Sequence, residues 1–448
     1  MLSAIPLQSR ALEPFDVYAN AAILMDAKSG QVIYSKNEHA HLPPAGTLKL
    51  FTALLAVEAA ANNKVSMTDK ITVSSDVKFD LSRDAATAGL QSGEVLTLED
   101  LLYLMMVGSA NDACNAVAEF ISGSVSDFVT LMNERAAELG CTDSNFTNTH
   151  GLPSGNQYSS AYDLALIASE SLKYPALVKI ANLEKYTVPA TNMSEERSVR
   201  TTNHLLRPGT QMYYYKDAIG LKSGSSTEAG HCLISSVNKS SMSVVSVVLG
   251  AVDVQTEPGV FQVQSFTETK RMFEWFFKNF QYKDIIKTSD LLASVDVRFG
   301  KGSDTLILRP ETGFKLILPN EIDPEKVFEK QIIFILPGDE TGTADAPIER
   351  GEKFGEVTLF YNGKTYGPFA LIANTSIKLD RGAYILNRAG QSLNAAWLKV
   401  VLIVVIILAA LMGVLALRVS SMKRRRRREA ARKRAERIVY RDDEEAED

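Results

Sequence analysis

Lys49, Ser109, Asn111 and Lys222 are the residues whose types and surroundings could carry chemistry. Lys49 lies in the stretch Pro43-Pro44-Ala45-Gly46-Thr47-Leu48-Lys49-Leu50-Phe51-Thr52 and is the only charge there before Glu58. A lysine in an apolar segment is costly unless its ammonium is paired, or unless desolvation lowers its pKa and makes it a base. Thr47 offers a nearby hydroxyl. Ser109 and Asn111 stand on Gly108-Ser109-Ala110-Asn111-Asp112, between two apolar segments. On that pair alone helix capping is the better reading, because Ser and Asn are favoured caps. Lys222-Ser223-Gly224 closes a strand-like run. His150, within Asn148-Thr149-His150-Gly151-Leu152-Pro153, reads as a loop histidine bonded to backbone.

The elements that must position these residues follow from periodicity. Leu50, Leu54, Leu55 and Val57 set an apolar stripe at helical spacing behind two prolines, which predicts a helix from Thr47 to about Ala61. Further helices are predicted over Leu96 to Val107, Ser126 to Leu139 and Ser160 to Lys173. Ala21 to Ser35 holds two apolar runs around Ser29-Gly30, a hairpin pattern. Asp217 to Gly224, Gly230 to Val237 and Met242 to Gly250 read as an antiparallel meander. Val263 to Phe280 presents Phe266, Met272, Phe273, Phe276 and Phe277 on one helical face, suited to packing on that sheet. Beyond Tyr282 the pattern changes to short β runs: Val295–Phe299, Thr305–Leu308, Phe314–Leu318, Gln331–Ile335, Gly355–Tyr361 and Thr365–Ala373. Asn362-Gly363 marks a hairpin between the last two. These predict a separate all-β domain over residues 284–382.

A chain of 448 residues is too long for one ordinary core. Its charge is uneven: from Arg418 to the end there are 12 Lys+Arg against 8 Asp+Glu, leaving 36 against 45 in the body. The acidic body argues against nucleic acid as the main partner. The cysteines Cys114, Cys141 and Cys232 form no CxxC pair, so they read as buried small residues with room for one adventitious bridge.

Val400 to Leu417 holds 18 residues without a charge, with Trp397 and Lys399 at one border and Arg418 and Lys423 to Arg428 at the other. At about 1.5 Å per residue this spans roughly 27 Å, enough for a transmembrane helix. The positive-inside rule puts the Arg-rich tail, residues 418–448, in the cytoplasm and the body outside. That orientation needs an export signal, and Met1 to Asn20 lacks the basic start and apolar run of one, so it is expected to have been removed or to lie upstream.

Taken in order, Gly46-x-x-Lys49, Ser109-x-Asn111 and Lys222-Ser223-Gly224 resemble the Ser-x-x-Lys, Ser-x-Asn and Lys-Thr/Ser-Gly motifs of serine penicillin-recognising enzymes. The hairpin Ala22 to Tyr34, the Asn148 to Pro153 turn, Glu228-Ala229-Gly230-His231-Cys232-Leu233 and Ala346-Pro347-Ile348-x-x-Gly351 extend the likeness. The chain resembles the D-alanyl-D-alanine carboxypeptidases among the low-molecular-weight penicillin-binding proteins. The resemblance implies a mixed α/β, β-lactamase/transpeptidase-like domain (an antiparallel sheet flanked by helices) over 21–282, after an extension of residues 1–20. The all-β domain, a linker over 383–399 and the membrane helix over 400–417 complete the expected order.

In that family the first-motif serine attacks the bond between two terminal D-alanines of the peptidoglycan stem, forming an acyl-enzyme that water hydrolyses. Carried over, Lys49 is the base, Ser109 a proton relay and Asn111 a clamp on the substrate amide. Lys222 supplies positive potential for the terminal carboxylate, and Ser223-Gly224 pairs with the extended peptide or a β-lactam. No cofactor or metal is implied. The chain departs from the pattern at Gly46, which stands at the nucleophile position without a side chain. Losing the nucleophile of a serine hydrolase costs on the order of 10⁶ in turnover. Two readings follow: a membrane-anchored module that recognises D-Ala-D-Ala stems or wall-synthesis partners, and β-lactams non-covalently, without acylation; or a working carboxypeptidase that uses Thr47 or a lysine-activated water, or whose codon 46 is misread. The first is preferred.

Overall fold

The computed structural model describes residues 15–336, 342–393 and 396–442. It divides into two compact units, one built on residues up to Ile285 together with Lys315–Pro324, the other on Ile286–Phe314 and the chain from Glu325 on.

The first unit is organised by a five-stranded antiparallel sheet of β1 (Ala21–Asp26), β2 (Val32–Lys36), β3 (Ala218–Ser226), β4 (Gly230–Lys239) and β5 (Met242–Ala251), in the order β2-β1-β5-β4-β3. Register is set by the buried alternation of β1 against β5, Ala21 facing Leu249 and Asp26 facing Val244. All six residues of β1 are buried, so both faces of the sheet are covered. Ile23, Met25, Val245 and Val247 point into one core, with the helices α1 (Lys49–Ala61), α2 (Leu98–Met106), α3 (Asn111–Ser122), α4 (Val125–Glu138) and α5 (Ala161–Ser171). Ala22, Leu24, Val244 and Val248 point to the other, where α6 (Gln264–Asn279) lays down Met272, Phe273 and Phe276. This is the period-2 logic of a strand buried on both faces. Each aromatic on α6 contributes roughly 1.5–3 kcal/mol by leaving water.

Local chemistry explains the helix ends. Thr97, Ser124 and Ser160 cap α2, α4 and α5, each accepting a backbone N–H three residues on. Leu96, expected on a helix, lies instead on the short strand Val95–Thr97, and α2 begins after the Thr97 cap. α1 is preceded by a 3₁₀ turn, Ala45–Leu48, so Thr47 stands before the α-helix rather than in its first turn.

The second unit carries a six-stranded sheet ordered Glu329–Phe334, Lys353–Tyr361, Lys364–Ala373, Thr305–Pro310, Ala293–Arg298, Thr343–Asp345. Asn362 and Gly363 make its tight hairpin, with φ of +48° and +73°. Phe314–Pro319, expected in this all-β domain, pairs instead with Phe280–Ile286 in the first unit. Its short apolar run, Leu316-Ile317-Leu318, fits either sheet, and only tertiary pairing decides.

Much of the stretch expected as a linker, 383–399, is helical. Arg381–Leu393 is a helix, and a second helix, Ala396–Asp442, runs through the apolar stretch and on into the arginines. Gly382 and Gly390 mask the first helix in the sequence, whereas Arg and Lys propagate helix well and extend the second. Trp397–Arg434 is long and apolar enough to cross a membrane, and its apolar window is exposed along its length. Most of the expected 1–20 extension and the last residues of the tail, 443–448, lie outside the described residues.

Candidate active site

Three segments meet beside the 3₁₀ turn: the entry to α1, the loop between α2 and α3, and β3. Gly224 makes the closest approach. A Cβ there would lie 2.3 Å from the Gly46 nitrogen, so only glycine lets the strand run against the turn. Gly151 does the same from the other side, because its φ of +86° and the Ala45 carbonyl 1.8 Å from any Cβ exclude a side chain. Gly46, Lys49, Ser109, Asn111, Ser223 and Gly224 line one cleft of about 690 Å³.

Lys49 is only 3% exposed and donates its Nζ–H to the His150 carbonyl at 2.7 Å. Burial pushes its pKa down, against a smaller opposing influence of the Cys114 sulfur. Lys222, 1% exposed, donates to Ser109 Oγ at 3.1 Å and to the Ser223 carbonyl at 2.7 Å. Burial and then repulsion from Lys49 lower its pKa to about 7. Among the described residues neither lysine has a carboxylate within ion-pair distance, so two amines share one buried site.

Ser109 and Asn111 do not cap α3, which overturns the capping expectation. The N-cap is Ala110, without a side-chain bond, and Ser109 has a φ of +58°. A serine held in the left-handed region costs roughly 1–2 kcal/mol, and here it turns Oγ toward Lys222. Asp112 takes the structural work at this corner, accepting the N–H groups of Ala88 and Leu90. Asn111 is 2% exposed, and its Oδ1 has no partner among the described residues.

His150 is more than a loop histidine. Its Nδ1 accepts the Leu152 N–H, which leaves the proton on Nε2 to donate to Asp80 Oδ2 at 2.9 Å. Burial lowers the imidazole pKa despite Asp80, and the bond to His150 lowers that of Asp80. Asn115 donates to Asp80 Oδ1 and accepts from Thr149, whose carbonyl accepts from Thr52 on α1. This chain of bonds, ending at the His150 carbonyl, holds the acceptor for Lys49. Asp80, Asn115 and Thr202, whose hydroxyl is 2.8 Å from Ser223 Oγ, were not singled out in the sequence. Asp80 and Thr202 lie in polar stretches and Asn115 within an apolar helix, none at motif spacing, and only the fold brings them in.

Thr47 is fully buried, with its hydroxyl donated to the Pro44 carbonyl, and it does not line the cleft. Gly46 does. A Cβ on it would stand 3.5 Å from Lys49 Nζ and 3.3 Å from Gly224 Cα. The three cysteines are buried and free, so no bridge forms, and burial pushes the Cys114 thiol up to about 12.

A family model described as D-alanyl-D-alanine carboxypeptidase matches residues 8–253, more than half of the chain. The chain belongs to this family. It is 29% identical over 368 residues to the D-alanyl-D-alanine carboxypeptidase DacF of Bacillus subtilis, covering 80% of this chain and 86% of that one. It is 27% identical over 379 residues to DacC of Escherichia coli, covering 82% and 86%. Its fold is similar to penicillin binding protein 5 from Haemophilus influenzae, with a TM-score of 0.63 at 25% identity, over 82% of this chain and 99% of that one. The family and the fold are thus those expected from the motifs.

Proposed function

We propose that this family member recognises peptidoglycan stem peptides ending in D-Ala-D-Ala, and β-lactams non-covalently, at the outer face of a membrane, without forming an acyl-enzyme. The observation that carries the reading is Gly46: the residue three before Lys49 lines the cleft, but offers no atom to acylate. The remaining groups suit a ligand. Lys49 is a buried amine pushed toward its neutral form, Ser109 and Lys222 are hydrogen-bonded to each other, and Asn111 has an acceptor to offer a peptide N–H. Ser223 and Gly224 give a strand edge against which an extended peptide can pair. The buried hydroxyl of Thr47 argues against that residue as a substitute nucleophile. The C-terminal helix would hold the protein at the membrane.

Labelling of the full chain by a fluorescent penicillin tests this directly, since the reaction needs a nucleophilic oxygen near Lys49. The unmutated protein is expected to stay unlabelled. Gly46→Ser is expected to gain labelling, and Gly46→Ser with Lys49→Ala to lose it. Covalent labelling of the unmutated protein would favour the acylating carboxypeptidase instead.

A further inference from the structure

Resting on the reading above, the cleft's charge balance indicates which stem peptide suits it best. Two buried amines lie on this side of the cleft: Lys49 Nζ is 3.5 Å from the Cβ position of residue 46, and Lys222 bonds the Ser223 carbonyl, itself 3.5 Å from that position; among the described residues the only acceptors bonded to the two Nζ atoms are the carbonyls of His150 and Ser223 and the Ser109 hydroxyl. Asp80 is bonded to His150 and Asn115, and Asp112 to the Ala88 and Leu90 backbone, while Asp84 and Glu228, which line the same cleft, make no ion pair with either lysine among the described residues. With glycine at 46, the 3.5 Å between the Cβ position and Lys49 Nζ is open to a ligand atom rather than filled by an Oγ.

A stem ending in D-Ala-D-Ala presents a neutral amide carbonyl beside residue 46 and carries its charge one residue farther, about 3.3–3.6 Å along the strand. A stem that has already lost its last D-alanine carries its carboxylate at the first of these two positions. We propose that the preferred ligand of this site is that trimmed peptide, its terminal D-alanine carboxylate seated over Gly46 between Lys49 and Lys222, with its preceding amide N–H on Asn111 Oδ1. A carboxylate there favours the protonated form of the two buried amines, and the charge-assisted bonds it then accepts are roughly twice as strong as neutral ones. A serine at 46 would set an oxygen against the same carboxylate. The glycine therefore changes what is recognised, from an uncut terminus to a cut one.

Calorimetric titration of the full chain in detergent decides the matter, with Nα,Nε-diacetyl-L-Lys-D-Ala, its C-terminal carboxamide, and Nα,Nε-diacetyl-L-Lys-D-Ala-D-Ala as probes. The trimmed probe is expected to bind at least tenfold more tightly than the D-Ala-D-Ala probe, and the carboxamide at least tenfold more weakly than the trimmed acid. Lys49→Met should remove the difference between acid and carboxamide, and Gly46→Ser should weaken the trimmed acid about tenfold. The carboxamide comparison needs no variant, so a misfolded substitution cannot decide the result. Equal or tighter binding of the D-Ala-D-Ala probe overturns this inference and leaves the proposed function standing. Absence of binding by all three probes overturns both.

Discussion

Gly46 and Gly224 touch backbone to backbone, but they are not equivalent. A Cβ on Gly224 would lie 2.3 Å from the Gly46 nitrogen and 2.6 Å from its Cα, whereas a Cβ on Gly46 would meet Gly224 Cα at 3.3 Å. The first overlap cannot be relieved by rotating a side chain, because every atom in it is backbone. The second asks the strand to give by a few tenths of an ångström. Gly224→Ala is therefore expected to destabilise by about 3 kcal/mol, at the upper end of overpacking, while Gly46→Ser stays within about 1 kcal/mol of the parent. Thermal unfolding of the two variants side by side measures this, and similar melting temperatures would refute the asymmetry.

Lys222 gives a pH prediction whose sign is fixed by its environment. Its folded pKa of about 7 lies below the ordinary 10.5, so between those values the unfolded chain holds a proton that the folded chain does not. Stability from this group is present above 10.5, falls as the pH is lowered toward 7, and is flat below. At 1.36 kcal/mol per unit over the 3.5 units between 10.5 and about 7, the cost near neutral pH is on the order of 5 kcal/mol. Lys222→Met, which keeps the length and drops the charge, should raise stability at pH 7 and flatten its rise toward pH 9.5. Denaturant unfolding at the two pH values reads both effects. A Met variant weaker than the parent at pH 7 would mean that the bonds to Ser109 and Ser223 outweigh burial.

Much of this could be read before any coordinates. The hairpin, the meander and α6 were legible because Ile23, Leu24, Val247 and Phe273 sit at regular periods that few other elements tolerate. Lys49 was marked by its apolar setting, but the order of Lys49, Ser109 and Lys222 was legible only through its likeness to the three family motifs. What could not be read was pairing between distant segments. Phe314–Pro319 is a short apolar run that names no partner strand, and Asp80 has no local mark that it meets His150 seventy residues on. Ser109 has the sequence setting of a helix cap, and nothing local marks its left-handed backbone.

Asp80 is a positioning residue by this geometry, since it touches His150 and Asn115 rather than the cleft's amines. Its carboxylate accepts from both Nε2 of His150 and Nδ2 of Asn115; an asparagine has one oxygen, so one donor would face an amide N–H₂. Asp80→Asn is expected to cost about 1–3 kcal/mol and, in the Gly46→Ser background, to slow penicillin labelling about tenfold while leaving non-covalent binding unchanged. The folded pKa of Asp80 is held down by His150, so its contribution is present above the ordinary 3.8 and lost as the pH falls through the folded value. The parent's stability should thus drop in that acid window and the variant's less so. If labelling and binding fall together, Asp80 shapes the pocket as a whole and does not act through the His150 carbonyl.

The last prediction concerns the membrane. Val400 to Leu417 is free of charge, and the residues beyond it concentrate 12 Lys+Arg from Arg418 on, with six of them in Lys423–Arg428. Moving that cluster across a bilayer is opposed far more strongly than moving the acidic body by an export route, so the tail should remain on the cytoplasmic side. Protease added to intact cells should digest the body and leave a C-terminal tag protected until the cells are permeabilised. Replacing Lys423–Arg428 by serines should weaken the bias and expose a fraction of the tag, because the span itself is symmetric in its apolar residues and Lys399 alone then marks the other border. A body that resists protease in intact cells, with the tag accessible, would establish the opposite orientation and remove the wall as the site of recognition.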